Sequence, residues 1–333
     1  MNKYLPKIIF IILYCNLSFA EQLLNQDVDI SSGSTLSNDS GLTVRELSGG
    51  PYTIDNRGTI EATNITSNSN PNIRLEVGTS IDNSGLIDTS GSANLNSILF
   101  IDNSGTNSVI NSGTIQTETT GQYGRAIRVE NASLTEITNS SGGTIKVTDS
   151  SLNAGAIVIN TGASVNTITN NGTITAIGTT HSRGITSIFT GTIDRIDNTG
   201  TIQAQGGSES NHGIVFWNDS GTTVTNSGTI QGTGGNYSYG IRKGSNGSIT
   251  KITNTGTIKG GKDGISNSGN ITNIVNTGTI TGTSGYGIHN GDGSITNLTN
   301  SQNNLTYTAY FPTNYYVKVN SSSSYGKISF SNP

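Results

Sequence analysis

The stretch KITNTGTIKG, residues 251–260, decides the fold, because the chain keeps returning to it. RIDNTGTIQA stands at 195–204 and NIVNTGTITG at 273–282, with looser copies TIDNRGTI, SIDNSGLI, SVINSGTI, TITNNGTI and TVTNSGTI elsewhere. Their common pattern, apolar-x-Asn-x-Gly-x-Ile, places asparagines at Asn56, Asn83, Asn111, Asn139, Asn170, Asn198, Asn226, Asn254 and Asn276. Successive spacings are 27, 28, 28, 31, 28, 28, 28 and 22, and an echo, TNLTNS, puts Asn300 a further 24 along. A repeat of this length is the mark of a solenoid.

Spacing inside each copy sets the backbone. Ile252, Asn254, Gly256 and Ile258 are two apart, so an extended chain turns all four to one side, which a 3.6-residue period does not. The irregular copy EITNSSGGTIKV inserts two residues before its last Gly, yet Ile137, Asn139, Gly143 and Ile145 keep the parity. A second segment begins Gly-Ile (Gly184-Ile185, Gly213-Ile214, Gly240-Ile241, Gly264-Ile265, Gly287-Ile288), and a third, such as GTIDRI or GSITKI, leads into the next motif. Three short strands per period predict an all-β parallel β-helix of about nine to ten coils over residues 51–300. Inward isoleucines stack from coil to coil, and each asparagine amide bonds the one above and below at the ~4.8 Å strand spacing. Gly is expected at the corner where a side chain clashes or φ is positive.

The flanks differ. Residues 1–20, with Lys3 and Lys7 before IIFIILYC and small residues up to Ala20, read as a Sec-type signal peptide, with the bulky Tyr14 arguing against lipid attachment at Cys15. The chain after Ala20 is therefore expected to be exported and free of cysteine, relying on packing and ladders without disulfides. Residues 21–50 lack the motif and are expected to form an N-terminal cap. Residues 301–333, rich in Tyr and Phe, are expected to form a strand-rich C-terminal plug or linker, with NSSSSYG as a turn.

The chain has 17 Lys+Arg against 21 Asp+Glu among 333 residues. Losing Lys3 and Lys7 with the signal leaves 15 basic residues, which gives no field for nucleic acid or an anionic membrane. His181, His212 and His289 lie in Gly-rich stretches and read as exposed corner residues too far apart to share a metal. Asp194 and Asp197 flank one motif without building an acidic stripe, and Asp55, Asp82 and Asp102 point outward by parity. GGKDGISNSG and GDGSITN resemble Gly-Asp calcium turns, but their period is wrong for a calcium roll. No nucleophile motif occurs, so the reading is of a non-enzyme without cofactor or metal. In GIVFWNDSG, Ile214 and Phe216 are expected to face inward, leaving Val215 and Trp217 outward, as a ligand contact or as local packing.

Signal peptide, cysteine-free repeats, the Asn/Thr/Gly/Ile β-helix and the closing FPTNYYVKVNSSSSYGKISF together resemble the passenger domains of autotransporters, the bacterial type V secretion proteins. The resemblance covers nearly the whole chain. It implies a secreted or cell-surface, adhesin-like protein binding a host protein or glycan, partnered by an outer-membrane translocator barrel whose strands this chain does not supply. The expectation is thus a passenger truncated before its barrel, one part of a split system, or a non-functional remnant. The competing expectation is a carbohydrate-active β-helix enzyme, a lyase or a hydrolase.

Overall fold

The computed structural model describes residues 22–24, 26–38, 44–46, 51–67, 71–76, 78–102, 105 and 107–331. The signal-peptide reading of residues 1–20 lies outside them. The chain is all-β, a parallel β-helix whose coils feed three sheets of 13, 12 and 10 strands in turn. We number these sheets 1, 2 and 3. Every strand pairs in parallel with its counterparts one repeat away, as in Thr192–Asn198 on Ser164–Asn170.

The register stacks like on like. In sheet 2 one interior column runs from Ile54 through Ile81, Val109 and Ile137 to Leu298. Sheet 3 carries Ile60, Ile87, Ile115 and their successors to Ile280, and sheet 1 carries Ile98 to Ile288. These residues belong to one continuous core and are essentially inaccessible to water. Each such burial contributes roughly 1.5–3 kcal/mol, which offsets the cost of ordering the backbone only when neighbouring coils share it.

All nine motif asparagines stand in one column. Each Nδ2 donates to the next Oδ1, at 2.7 Å from Asn56 to Asn83, 2.7 Å from Asn198 to Asn226 and 3.0 Å from Asn276 to Asn300. The same amide also donates to a backbone carbonyl one coil on, as Asn198 does to Thr229 O at 3.2 Å. The ladder is therefore directional, every amide pointing toward the C-terminal end. Below Asn56 the register places Ile30, so the Asn56 Oδ1 has no donor. At the two-residue insertion the chain makes a turn closed by Gly143 N on Ser140 O, with Gly142 at φ +85°, and the Asn139–Asn170 bond survives at 2.9 Å.

Between the two physical roles foreseen for the motif glycine, the structure selects the clash. Gly200 lies at the corner joining sheets 2 and 3, and a Cβ there would sit 2.0 Å from the carbonyl oxygen of Gly172 on the preceding coil. Its φ is not positive.

Both flanks continue the helix. Strands Gln22–Leu24, Val28–Ile30 and Thr35–Asn38 enter sheets 1, 2 and 3 in register, so the expected N-terminal cap contains a full coil. At the other end Leu305–Ala309, Asn314–Val317 and Ile328–Ser331 extend sheets 1 and 2 in parallel. Tyr307 plugs the interior beneath Phe330 and Phe311, and Val319 pairs with Tyr325 across the foreseen turn. Sheet 3 ends earlier. There the Gln302 side chain takes the place of a strand, accepting Ile280 N at 2.8 Å and donating to Ile280 O at 3.1 Å. At ~4.8 Å per strand the 13 strands of sheet 1 make a rod of roughly 55–60 Å.

Replacing Asn198 with Ala breaks two ladder bonds and orphans polar groups on both sides, whereas Asn56→Ala breaks one at the end of the column. We expect losses of roughly 2–4 kcal/mol for Asn198→Ala and about half that for Asn56→Ala, read from urea unfolding midpoints. Equal losses would contradict a ladder.

Candidate functional site

The outer face of sheet 1 gathers chemistry that the other faces lack, and register alone assembles it. One column runs Asn96, Arg125, Gly155, Arg183, His212, Tyr239, Asp263. Beside it runs Leu99, Arg128, Val158, Thr186, Val215, Arg242, Ser266, His289. From Arg125 to His289 the band crosses six coil spacings, roughly 30 Å.

Val215 points outward as its parity requires, but it is fully buried and lies outside the central core. The expectation of Val215 as an exposed contact is therefore corrected. Leu99, Val158 and Val215 alternate in their column with Arg128 and Arg242, and long arginine stems cover apolar surface while their charged heads stay at the rim. Trp217 is half-buried. The Arg242 guanidinium lies over its ring, 4.8 Å from the centroid, and the ring edge packs so close to Gly244 that a Cβ there would be 3.1 Å from Trp217 Cε3. Arg242 also reaches Tyr239, at 5.9 Å, and Tyr239 stacks on His212 with centroids 5.1 Å apart and planes 6° from parallel.

The histidines are not exposed corner residues. His212 lies within the strand Ser210–Phe216 and is buried. Burial, then the charges of Arg242 and Arg183, hold it well below the ordinary imidazole range, so it is neutral at physiological pH. His181 is partly covered, its Nδ1 2.7 Å from Ser210 Oγ, and burial followed by the Arg183 charge lowers its pKa. His289 is partly covered and sits 3.4 Å from the buried carboxylate of Asp263. Asp194 is exposed and Asp197 pairs with Arg195 at 2.6 Å.

Two depressions interrupt the band. A small one, about 90 Å³, opens over Gly155 between Arg125 and Arg183, with Tyr123, Val158 and Thr186 in its walls. A larger groove of about 560 Å³ lies between Tyr239 and Arg242 on one side and His289 and Tyr310 on the other. Burial brings the Arg125 guanidinium down to about 10, Arg128 adding repulsion, and Arg183 is lowered by burial and then by Arg242. At about 10, Arg125 keeps its charge at neutral pH.

The interior behind the band is polar where Trp217 leaves sheet 1. Lys243 occupies the inward column between Phe216 and Asn267, fully buried, and its Nζ donates to Trp217 O at 3.4 Å, to Gly244 O at 3.2 Å and to Asn246 O. It fixes the corner that carries Trp217. Nearby, Asp219 accepts from Ser187 Oγ and from Ile193 N at 2.8 Å, and burial raises its carboxyl to about 6. Above Lys243, Asn267 donates to Asn290 at 2.7 Å and Asn290 to Tyr310 O, a second short amide ladder.

Arg125, Arg183, Arg242 and Tyr239 were not singled out from the sequence, and His212 was read there as a corner residue. A signal was present, since the arginines adjoin the Gly-Ile segment and lie 58 and 59 residues apart, two repeats each time. Compared with known proteins, the chain matches no family model, no curated protein and no solved structure. Among the described residues no helix is long and apolar enough to cross a membrane, and no three metal-ligating side chains converge.

Trp217 is the only tryptophan, so its emission reports on the band. Arg242→Ala removes the cation over the ring, and we expect red-shifted fluorescence with stronger acrylamide quenching and a stability loss of about 0.5–2 kcal/mol. An unchanged spectrum would place the guanidinium elsewhere. Asp219 binds its proton more tightly folded than unfolded, so stability present below pH ~4 declines as pH rises to about 6, by roughly 3 kcal/mol, and then levels off. Urea unfolding between pH 3.5 and 7 should show that slope in the native chain and lose it in Asp219→Asn.

Proposed function

We propose that the chain is a non-catalytic, adhesin-like β-helical binding protein that holds its ligand along the outer face of sheet 1. One observation carries this reading: a rigid, coil-by-coil file of Arg125, Arg183 and Arg242 with Tyr123, Tyr239 and Trp217, open to solvent at the Gly155 notch and at the larger groove. Such a face, built on strands whose positions are over-determined by stacking, is preorganised for recognition. The partner is a host protein or glycan. Export by the signal peptide, display at the bacterial cell surface or release from it, and attachment to an outer-membrane barrel follow from the resemblance to autotransporter passengers. The uniform stack supports that reading, because a one-dimensional solenoid can fold progressively as it emerges from a pore.

A hydrolytic reading has one observation in its favour. Asp263 and His289 stand 3.4 Å apart beside the larger groove, with Ser266 next to His289 in the same column. Turnover of a polysaccharide or ester panel that disappears in His289→Ala would replace the binding reading with this one.

The binding reading is tested by blocking the face. In a Cys15→Ser background, Tyr123→Cys on the band and Thr199→Cys at the corner between sheets 2 and 3 are each coupled to a polymer-bearing maleimide. Retention on host cells, matrix proteins or glycans should fall at least tenfold for the label at 123 and stay unchanged for the label at 199. Equal retention for both would remove sheet 1 as the binding face.

A further inference from the structure

The chain has eight arginines, and they divide cleanly. Arg45 and Arg74 meet Glu76, Arg57 meets Asp29, Arg128 meets Glu130 and Arg195 meets Asp197, all within 3.5 Å. The other three, Arg125, Arg183 and Arg242, form no ion pair among the described residues, and all three lie on the band, whose fourth arginine, Arg128, is paired. Burial and the charges of neighbouring arginines press on Arg125 and Arg183, and the Arg183 Nε is buried without any hydrogen-bond partner. Clustered, partly desolvated guanidinium groups without carboxylates are costly to a fold unless an anion compensates them.

Their spacing describes the anion. Arg125, Arg183 and Arg242 occupy every second coil, so successive charges are separated by roughly 10 Å along the rod. The coil between the first two contributes Gly155. A Cβ at that position would lie 2.6 Å from Val158 Cγ2, so its absence keeps the notch open between two guanidinium groups. Planar guanidinium forks pair with carboxylate or sulfate oxygens two at a time.

We infer that the ligand of this face is a linear acidic polysaccharide, one carboxylate or sulfate seated in the notch against Arg183 and the next near Arg242. The inference rests on the binding reading above and names its ligand class. A polymer with one charge per disaccharide has the sparse charge this band offers. Nucleic acid fits poorly. Each duplex strand carries a phosphate about every 3.4 Å of helix axis, and single-strand binders rely on free aromatic faces for base stacking. Here Arg242 covers Trp217, His212 covers Tyr239, and Arg125 lies 5.0 Å over Tyr123.

The test measures retention of the chain on immobilised hyaluronan, keratan sulfate and dextran, with single-stranded DNA as competitor. Binding to hyaluronan or keratan sulfate but not to dextran is expected, weakening steadily with added salt. Arg183→Gln should weaken it at least tenfold, Arg125→Gln with Arg183→Gln should abolish it, and Gly155→Ala, which fills the notch and keeps every charge, should weaken it several-fold. Arg195→Gln, a paired arginine on sheet 2, should change nothing. Circular dichroism and Trp217 emission verify that each variant is folded. A folded Arg183→Gln chain that binds like the wild type, or DNA competing as well as either acidic glycan, overturns the inference. Salt-independent binding to dextran or cells that the label at 123 blocks and the arginine variants leave intact overturns the acidic ligand alone. Binding indifferent to both overturns the face as well.

Discussion

Coil stacked on coil at the strand spacing is the constraint on which everything else in this molecule depends. Once each repeat completes one circuit, every residue is fixed beneath its equivalent one coil above. An isoleucine then meets isoleucine, which is favourable at any height in the rod. An asparagine meets asparagine, which is tolerable inside only because an amide carries both donor and acceptor and the column can satisfy itself. No other uncharged side chain of that size offers both at an orientation that repeats by translation. The glycine at the next corner belongs to the same constraint, since the carbonyl of the coil below occupies the place a side chain would take.

Where translation stops, the chain uses other means to close the polar accounts of the ladder. Below Asn56 the column changes to Ile30, leaving one carbonyl oxygen without a donor. Above Asn276 the ladder passes to Asn300, whose Nδ2 donates to Gln302 O at 2.9 Å, and the Gln302 amide seals the last strand of sheet 3. Lys243 is the interior exception. A buried ammonium stands between Phe216 and the Asn267–Asn290 amides in its column, and three corner carbonyls accept its hydrogen bonds. That side chain positions Trp217 on the outer face, so the most unusual residue of the core sits directly behind the band that we read as the binding surface.

The interior was legible from a single chain because its rule is local and periodic. Parity identified Ile196, Asn198 and Ile202 as inward, and repetition placed Asn198 over Asn170. Exteriors obey no such rule. Val215 was rightly assigned an outward direction, yet direction is not exposure: it lies between Thr186 and Arg242 in its column and is fully buried there. His212 was placed in a corner on the strength of its Gly neighbours, whereas the ladder makes it a strand residue buried against Tyr239. Residues 21–50 and 301–333 lacked the asparagine signature and read as something apart, although backbone pairing alone carries the helix through both.

From the sequence by itself came the strand period, the coil length, the inward residues and the asparagine column, because each depends only on spacing within and between repeats. Tertiary structure decided which outward residues share a column, which of them are covered, and that three unpaired arginines stand two coils apart on one face. The physical reason is that exposure and charge pairing are set by neighbours tens of residues away, brought together by a register that irregular corners between strands can shift by a residue or more. Composition showed a weakly acidic chain, and only the assembled rod brings its three unpaired arginines onto one face.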